Sequence, residues 1–432
     1  MKDSIIKVIW ICHFSNKIVR ENVRFKRFSL LSLFLKLVKR NFQNRDFAIW
    51  ITNGIKYFEK YSDIQLTVVF PHQGAIKGIQ KFNCNGVQYI CFHSEDDNFL
   101  SYIMQHVFKV VKTRFSHNCD VVNQIIEEVN PDIVHVIGAE NPYYSITALN
   151  VPERIPTIVS LQTLLNVKGF KDNYKINKSC YEYRALLERK IIQKCDYIAT
   201  GVPDFVNVIR ETIKPNVQAL KLKLAVGVDV DFSFTKKEYD FVYFASNINK
   251  ACDVAIEAFA LAKKKHPHIT MNVSGRYTLA YKNELERRMK QLNILGSVFF
   301  TGSKDTHEEV IEQIKKSKFA LLPFKVDQMP STIREAMACG LPVVSFSTPA
   351  MEQLNSIRES ILLVAHGNIS ALAFEMTRLL DDPKLANRIR KNAGETISEL
   401  YSNDLIIEQW RKAYKEITSH QDGAIISESV LY

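Results

Sequence analysis

The chain has 432 residues, is 46% hydrophobic and 24% charged, and carries a formal net charge of +11. That length predicts two domains of roughly 200 residues each, and the composition excludes a disordered chain. Eight cysteines are scattered with no C-x-x-C pair and no His/Cys cluster at zinc spacing, so free, mostly buried thiols in a reducing compartment are expected.

The first half alternates strand-like and helix-like segments. Residues 7–12 read as a strand; the apolar run there is too short, and too free of a following cleavage site, for a signal peptide. Residues 17–45 hold nine Lys/Arg against the single acid Glu21, so this stretch supplies most of the positive excess. Phe25, Phe28, Leu31, Leu35 and Val38 recur at helical spacing among those charges, which predicts a helix over about 23–42. Its longest apolar stretch, 28–38, is interrupted by Lys36 and cannot span a bilayer. A basic amphipathic helix suits an anionic membrane surface; a helix that turns its apolar side to the core is the alternative, and no nucleic-acid partner is expected. Further helices are expected over 46–61, 99–129 and 181–194, and strands over 64–70, 86–92, 133–137, 157–161 and 197–200. Residues 95–97 (Glu-Asp-Asp) read as a solvated turn. Such alternation predicts a mostly parallel sheet with helices on both faces.

Residues 214–237 lack periodicity and read as the interdomain connection. The second half repeats the architecture, with strands over 241–245, 270–274 and 298–301 and helices over 252–265, 282–293 and 308–317. Residues 319–323 then read as a buried strand, followed by a loop with Asp327. A short helix starts near Ser331, contains Glu335 and stops at Gly340, and a strand covers 341–345. Helices over 369–380, 383–401 and 404–417 complete the chain. Two carboxylates beside a helix start, where free N–H groups favour a phosphate, suit a nucleotide-linked sugar. Two doubly wound domains are expected to hold their ligand at the carboxyl ends of the strands.

Seven residues separate Asp327 from Glu335, and Ala-Met-Ala-Cys-Gly-Leu-Pro-Val-Val follows. This stretch resembles the E-x7-E motif of the group 1 retaining glycosyltransferases, which have the GT-B fold. Lys250 before a helix, Phe300-Thr301-Gly302 and Gly227-Val228-Asp229 extend the resemblance over most of the second half. Asp132 to Glu140 and Thr157 to Gln162 carry it more loosely into the first. The nearest likeness is to members that build bacterial surface polysaccharide.

The resemblance implies an α/β GT-B architecture of two Rossmann-like domains facing a central cleft. Residues 1–220 would bind acceptor and 221–404 the donor, and the helix at 405–432 would cross back to the first domain. It implies a retaining, metal-independent transfer from a UDP- or GDP-sugar to a glycan or lipid-linked glycan, with no further cofactor. Glu335 would hold the ribose hydroxyls, Asp327 the transferred sugar, and Lys250 the diphosphate. Met329, Ser331, Thr332 and Ile333 would bind the donor through the helix start, with Gly275 and Arg276 nearby. His13, His135, Glu140 and Gln162 are the acceptor-side candidates. The implied location is cytoplasmic, peripheral on the inner face of the plasma membrane, in assembly of capsule or lipopolysaccharide.

Four departures from the family pattern stand out. Asp327 replaces the first glutamate. Ala245 stands where the family places a phosphate-binding arginine, for which Arg276 is the candidate substitute. Cys12-His13-Phe14-Ser15-Asn16 stands where a glycine-rich loop is usual, and Gln162 where a histidine is frequent. They leave room for two other readings: a non-catalytic membrane-associated glycan-binding scaffold, or a sugar-nucleotide epimerase of the same fold.

Overall fold

The computed structural model describes residues 5–25, 46–72, 74–94, 115–167, 178–247, 250–325, 331–421 and 425–432. Asp327, Met329, residues 95–97 and the basic stretch beyond residue 25 lie outside the described residues. The chain divides into two compact units, Met1–Ala225 with Asn403–Tyr432, and Val226–Ser402.

In the first unit, β1 (Ile6–Ile11), β2 (Ile64–Pro71), β3 (Ile79–Cys84), β4 (Val87–Phe92), β5 (Ile133–Ile137), β6 (Thr157–Ser160), β7 (Tyr197–Ala199) and β8 (Gln218–Leu220) form one sheet. Their order is β3-β4-β2-β1-β5-β6-β7-β8. Every β5 residue is buried, as a parallel strand covered on both faces requires. Only β3 runs antiparallel, paired with β4 across Asn85-Gly86, whose φ values of 49° and 80° are those of a two-residue hairpin turn. Before the basic stretch leaves the described residues it forms a short helix, Lys17–Asn22, rather than beginning one at residue 23. Asn16 starts it by accepting from the Val19 N–H at 2.9 Å, and Val23 ends it in extended conformation. Arg20 is tied to Asp46 at 2.7 Å with both side chains largely buried, so this cation serves the fold.

The helix Asn403–Gln421 belongs to this unit. Trp10 Nε1 donates to Tyr414 Oη at 2.9 Å, and the Arg411 guanidinium grips Asp63 at 2.6 Å while lying 4.8 Å from the Tyr61 ring centroid. His135 meets the same tyrosine. Its Nδ1 lies 2.6 Å from Tyr414 Oη and its Nε2 2.7 Å from Ser160 Oγ, and the residue is fully buried. Sequence reasoning placed His135 on the acceptor side; the structure makes it a core group, because the strand turns it inward and both ring nitrogens are engaged.

In the second unit, β9 (Tyr239–Asn247), β10 (Met271–Arg276), β11 (Val298–Gly302), β12 (Ser317–Leu321), β13 (Val343–Phe346) and β14 (Leu362–Val364) are all parallel, in the order β11-β10-β9-β12-β13-β14. Side-chain caps start its helices at legible places: Thr278, Thr306, Asn368 and Asp382 each accept a backbone N–H from the first turn. Phe241, Val273, Phe319, Ile333, Met337 and Val343 lie in one continuous core under those helices.

Each sheet is doubly wound, and each reverses its winding once. In the first unit β1 is flanked by β2 and β5, and in the second β9 is flanked by β10 and β12. At such a reversal the connections leave to opposite sides and open a crevice at the carboxyl ends of the two strands.

Tyr414→Phe removes the hydroxyl that Trp10 and His135 share. It is expected to lower unfolding free energy by about 2 kcal/mol in urea denaturation. Burial also pushes His13 and His135 down to about 3 and His72 to about 4. The folded state therefore binds fewer protons than the unfolded chain below pH 6.5, and stability should fall as pH drops from there toward 3. Denaturation midpoints that stay level across that range would contradict this.

Candidate functional site

At the reversal in the second unit, Lys250 follows β9 and the helix Ser331–Ala338 follows β12. The Lys250 side chain is exposed; its Nζ stands 5.9 Å from the Phe324 ring centroid, and its carbonyl accepts from Tyr243 Oη at 2.5 Å. On the neighbouring strand, Gly275 (φ 142°) and the exposed Arg276 end β10, with Arg276 in register with Asn247 of β9. Lys250 and Arg276 thus stand at the same carboxyl edge. Ser331 and Thr332 are half-buried in the first turn of the helix, whereas the Ile333 side chain is in the core, so Ile333 has only its N–H to offer a ligand.

Glu335 is one turn further along and 9% exposed. Burial raises its carboxyl pKa above the ordinary range, while His307 and Arg334 oppose that rise. His307 Nε2 lies 3.7 Å from Glu335 Oε1. Gly227 completes the arrangement: a Cβ there would stand 2.1 Å from Glu335 Oε1 and 2.9 Å from His307 Nε2. The glycine is needed for its missing side chain, because the carboxylate occupies that space.

The segment that carries Gly227 is pinned from both sides. The Asp231 N–H donates to the Ala338 carbonyl at 2.9 Å, and the buried Lys315 ammonium donates to Asp231 Oδ2 and Ser233 Oγ, each at 2.6 Å. That ammonium holds the Asp231 carboxyl down at about 2. His307 escaped sequence reasoning. Its signal was local: Thr306, with Glu309 three residues on, is a helix start, and it puts residue 307 on the first turn after β11.

The reversal in the first unit gathers three of the four acceptor-side candidates. His13 follows β1, Glu140 follows β5 and Gln162 follows β6. The His13 ring stacks on Phe47 with centroids 4.2 Å apart, and Tyr143 presents its edge at 5.1 Å. Gly138 (φ +106°) forms the floor: a Cβ there would lie 2.2 Å from Tyr144 Oη, 3.0 Å from Glu140 Oε2 and 3.1 Å from Gln162 Nε2. Gln162 Nε2 donates to the Ile137 carbonyl at 3.2 Å, and Glu140 Oε1 accepts from Asn141 Nδ2 at 2.9 Å. Glu140 Oε2 and His13 Nδ1 are buried and have no hydrogen-bond partner among the described residues. Burial raises the Glu140 carboxyl and keeps His13 neutral near pH 7. Both atoms thus lack a partner among the described residues, and with Glu140 raised and His13 neutral the pair carries little charge.

Among the described residues, no cluster of three or more His, Cys, Asp or Glu could hold a metal ion, and no helix is long and apolar enough to cross a membrane.

Residues 230–396 match the family model of the glycosyl transferases group 1. A Haemophilus influenzae protein named as an uncharacterized glycosyltransferase is 25% identical over 201 residues, 46% of this chain and 52% of its own. The N-acetyl-alpha-D-glucosaminyl L-malate synthase of Bacillus anthracis is 23% identical over 240 residues, 52% of this chain and 61% of its own. The chain thus spans about half the length of the curated relatives it matches. Among solved structures, Anabaena HepE in complex with UDP and glucose superimposes with a TM-score of 0.64 at 13% identity, covering 95% of this chain and 99% of the other. The fold is GT-B, as the motif implied.

Gly227→Ala should cost about 1–3 kcal/mol, because the new methyl overlaps the Glu335 carboxylate. In a Glu335→Ala background most of that cost should vanish, a coupling that a double-mutant cycle by chemical denaturation measures. An equal cost in both backgrounds would remove Glu335 from the account of Gly227.

Proposed function

We propose that this chain is a glycosyltransferase that moves a sugar from a UDP- or GDP-sugar to a glycan or lipid-linked glycan, with retention at the anomeric carbon and without a metal ion. The observation that carries the reading is the buried Glu335 carboxylate. It sits one turn into the helix after β12, at a winding reversal, inside the segment matched to the family. A carboxylate there accepts from paired ribose hydroxyls as the acidic residue of dinucleotide folds does.

The rest of the donor site follows from charge. As the bond from the anomeric carbon to the diphosphate breaks, the electron pair leaves with the phosphate oxygen, and the negative charge to be stabilised grows. Lys250, Arg276 beyond Gly275, and the N–H groups of Ser331, Thr332 and Ile333 supply positive potential at that edge. Asp327 and Met329 enter on sequence grounds, Asp327 toward the transferred sugar and Met329 through its backbone. The acceptor hydroxyl bonds to the anomeric carbon on the face the diphosphate leaves, and its proton passes to the departing phosphate.

His13, Glu140 and Gln162 form the acceptor side, where a neutral imidazole, a carboxyl oxygen without a partner and an amide suit sugar hydroxyls. The basic stretch 17–45 would bring the enzyme to an anionic membrane, on the cytoplasmic face, for assembly of surface polysaccharide such as capsule or lipopolysaccharide. Of its cations, Arg20 is already committed to Asp46.

Thermal shift with UDP, GDP and their sugars, followed by turnover of whichever sugar nucleotide stabilises the protein, tests the reading. Lys250→Ala and Glu335→Ala should each lower kcat/KM about 100-fold. Glu140→Gln should raise the acceptor KM about tenfold and leave donor affinity alone. Stabilisation by no nucleotide would favour the non-catalytic scaffold, for which Ala245 in place of the phosphate arginine is the specific support.

A further inference from the structure

The Glu335 carboxylate is enclosed more tightly than a surface sugar contact needs. Three elements converge on one of its oxygens: its own helix, the first turn of the helix His307–Lys315, and the strand-like segment through Gly227. On Oε1, the imidazole of His307 stands at 3.7 Å, and the space a Cβ of residue 227 would fill is taken by both groups. The titratable and charged groups acting on the carboxyl are His307 from the neighbouring helix and Arg334 from its own, and it acts in turn on the buried Cys339 thiol. Arg334 is directed elsewhere, its guanidinium lying 5.4 Å from the Tyr401 ring centroid.

We infer that His307 is a positioning residue of the nucleotide site: it holds Oε1 of Glu335 against Gly227, so that Oε2 is the oxygen presented to the ribose. The inference rests on the reading of the second unit as a nucleotide-sugar site and adds a residue to it. A buried carboxylate with no fixed neighbour has several rotamers and a penalty for its charge. At 3.7 Å the His307 ring packs against Oε1 without a hydrogen bond, so it narrows the rotamers open to the carboxylate and sets a polar group beside its charge. Gly227 prevents the alternative in which a side chain takes the ring's place.

Ribose recognition separates this role from a merely structural one. Binding of UDP and GDP, and of their 2′,3′-dideoxy counterparts, is measured by calorimetry on the full chain and on His307→Ala, His307→Gln and Glu335→Gln. In the native chain, the nucleotide that binds should exceed its dideoxy form about tenfold. His307→Ala should collapse that preference to about twofold with the dideoxy affinity unchanged. His307→Gln, which keeps an N–H donor, should restore part of it, and adding Glu335→Gln to His307→Ala should change little further. A preference that survives His307→Ala would overturn the inference and leave the nucleotide reading standing. Failure of both nucleotides to bind the native chain would instead overturn the reading beneath it. Thermal melts of each variant identify any loss of folding, and His307→Gln keeps the question answerable if His307→Ala does not fold.

Discussion

Parallel pairing is the constraint on which the molecule depends. Parallel strands cannot be joined by a tight turn, so each connection crosses over through a helix and leaves one end of every strand facing a loop. Where the winding changes side, two adjacent loops part. In this chain that happens beside β1 and beside β9. His13 and Glu140 stand at the first reversal, and Lys250 and the helix carrying Glu335 at the second. The chemistry-bearing residues fall there because no other point on either sheet opens by topology alone.

The two crevices solve a common problem differently. Both contain a buried glutamate beside a glycine whose absent side chain makes room. At Gly227 the carboxylate itself fills the space and has an imidazole neighbour. At Gly138 the backbone has positive φ, and a tyrosine hydroxyl, a carboxyl oxygen and an amide surround the gap. The first arrangement favours a fixed, partly neutralised carboxylate, and the second leaves a polar lining that is short of partners. Under the proposed function, the first would meet one constant feature, a ribose, and the second a variable set of hydroxyls.

Strands buried on both faces were the most legible elements, because continuous apolar runs such as those of β1, β5, β9 and β12 have few other uses. Of the three-residue strands only β7 was read; β8 and β14 were missed, and β8 lay in a segment read as connection. The β3–β4 hairpin was legible and unread, since Cys84-Asn85-Gly86-Val87 is a strong turn signal. In the candidate site, the motif spacing singled out Glu335 from a pattern local to one helix. His307 comes from a different strand-loop-helix unit, and its approach depends on tertiary packing that no spacing encodes. His135 failed for the opposite reason: its strand position was right, but alternation could not tell which face its neighbours would seal.

The helix Asn403–Gln421 has a consequence for how the protein is made. Trp10 and Tyr414, hydrogen-bonded in the interior, are 404 residues apart in the chain. On a ribosome the first unit emerges long before the residues that close it, and the whole second unit must be synthesised in between. At about 5–20 residues per second the wait is on the order of ten seconds or more. During it the Trp10 indole and the His135 imidazole lack their shared hydroxyl, and the apolar surface that the last helix covers is bare. The second unit, contiguous in sequence, can fold on emergence. Nascent chains stalled before residue 403 should therefore hold a native second unit beside an open first one, a window in which a chaperone has a defined surface to guard.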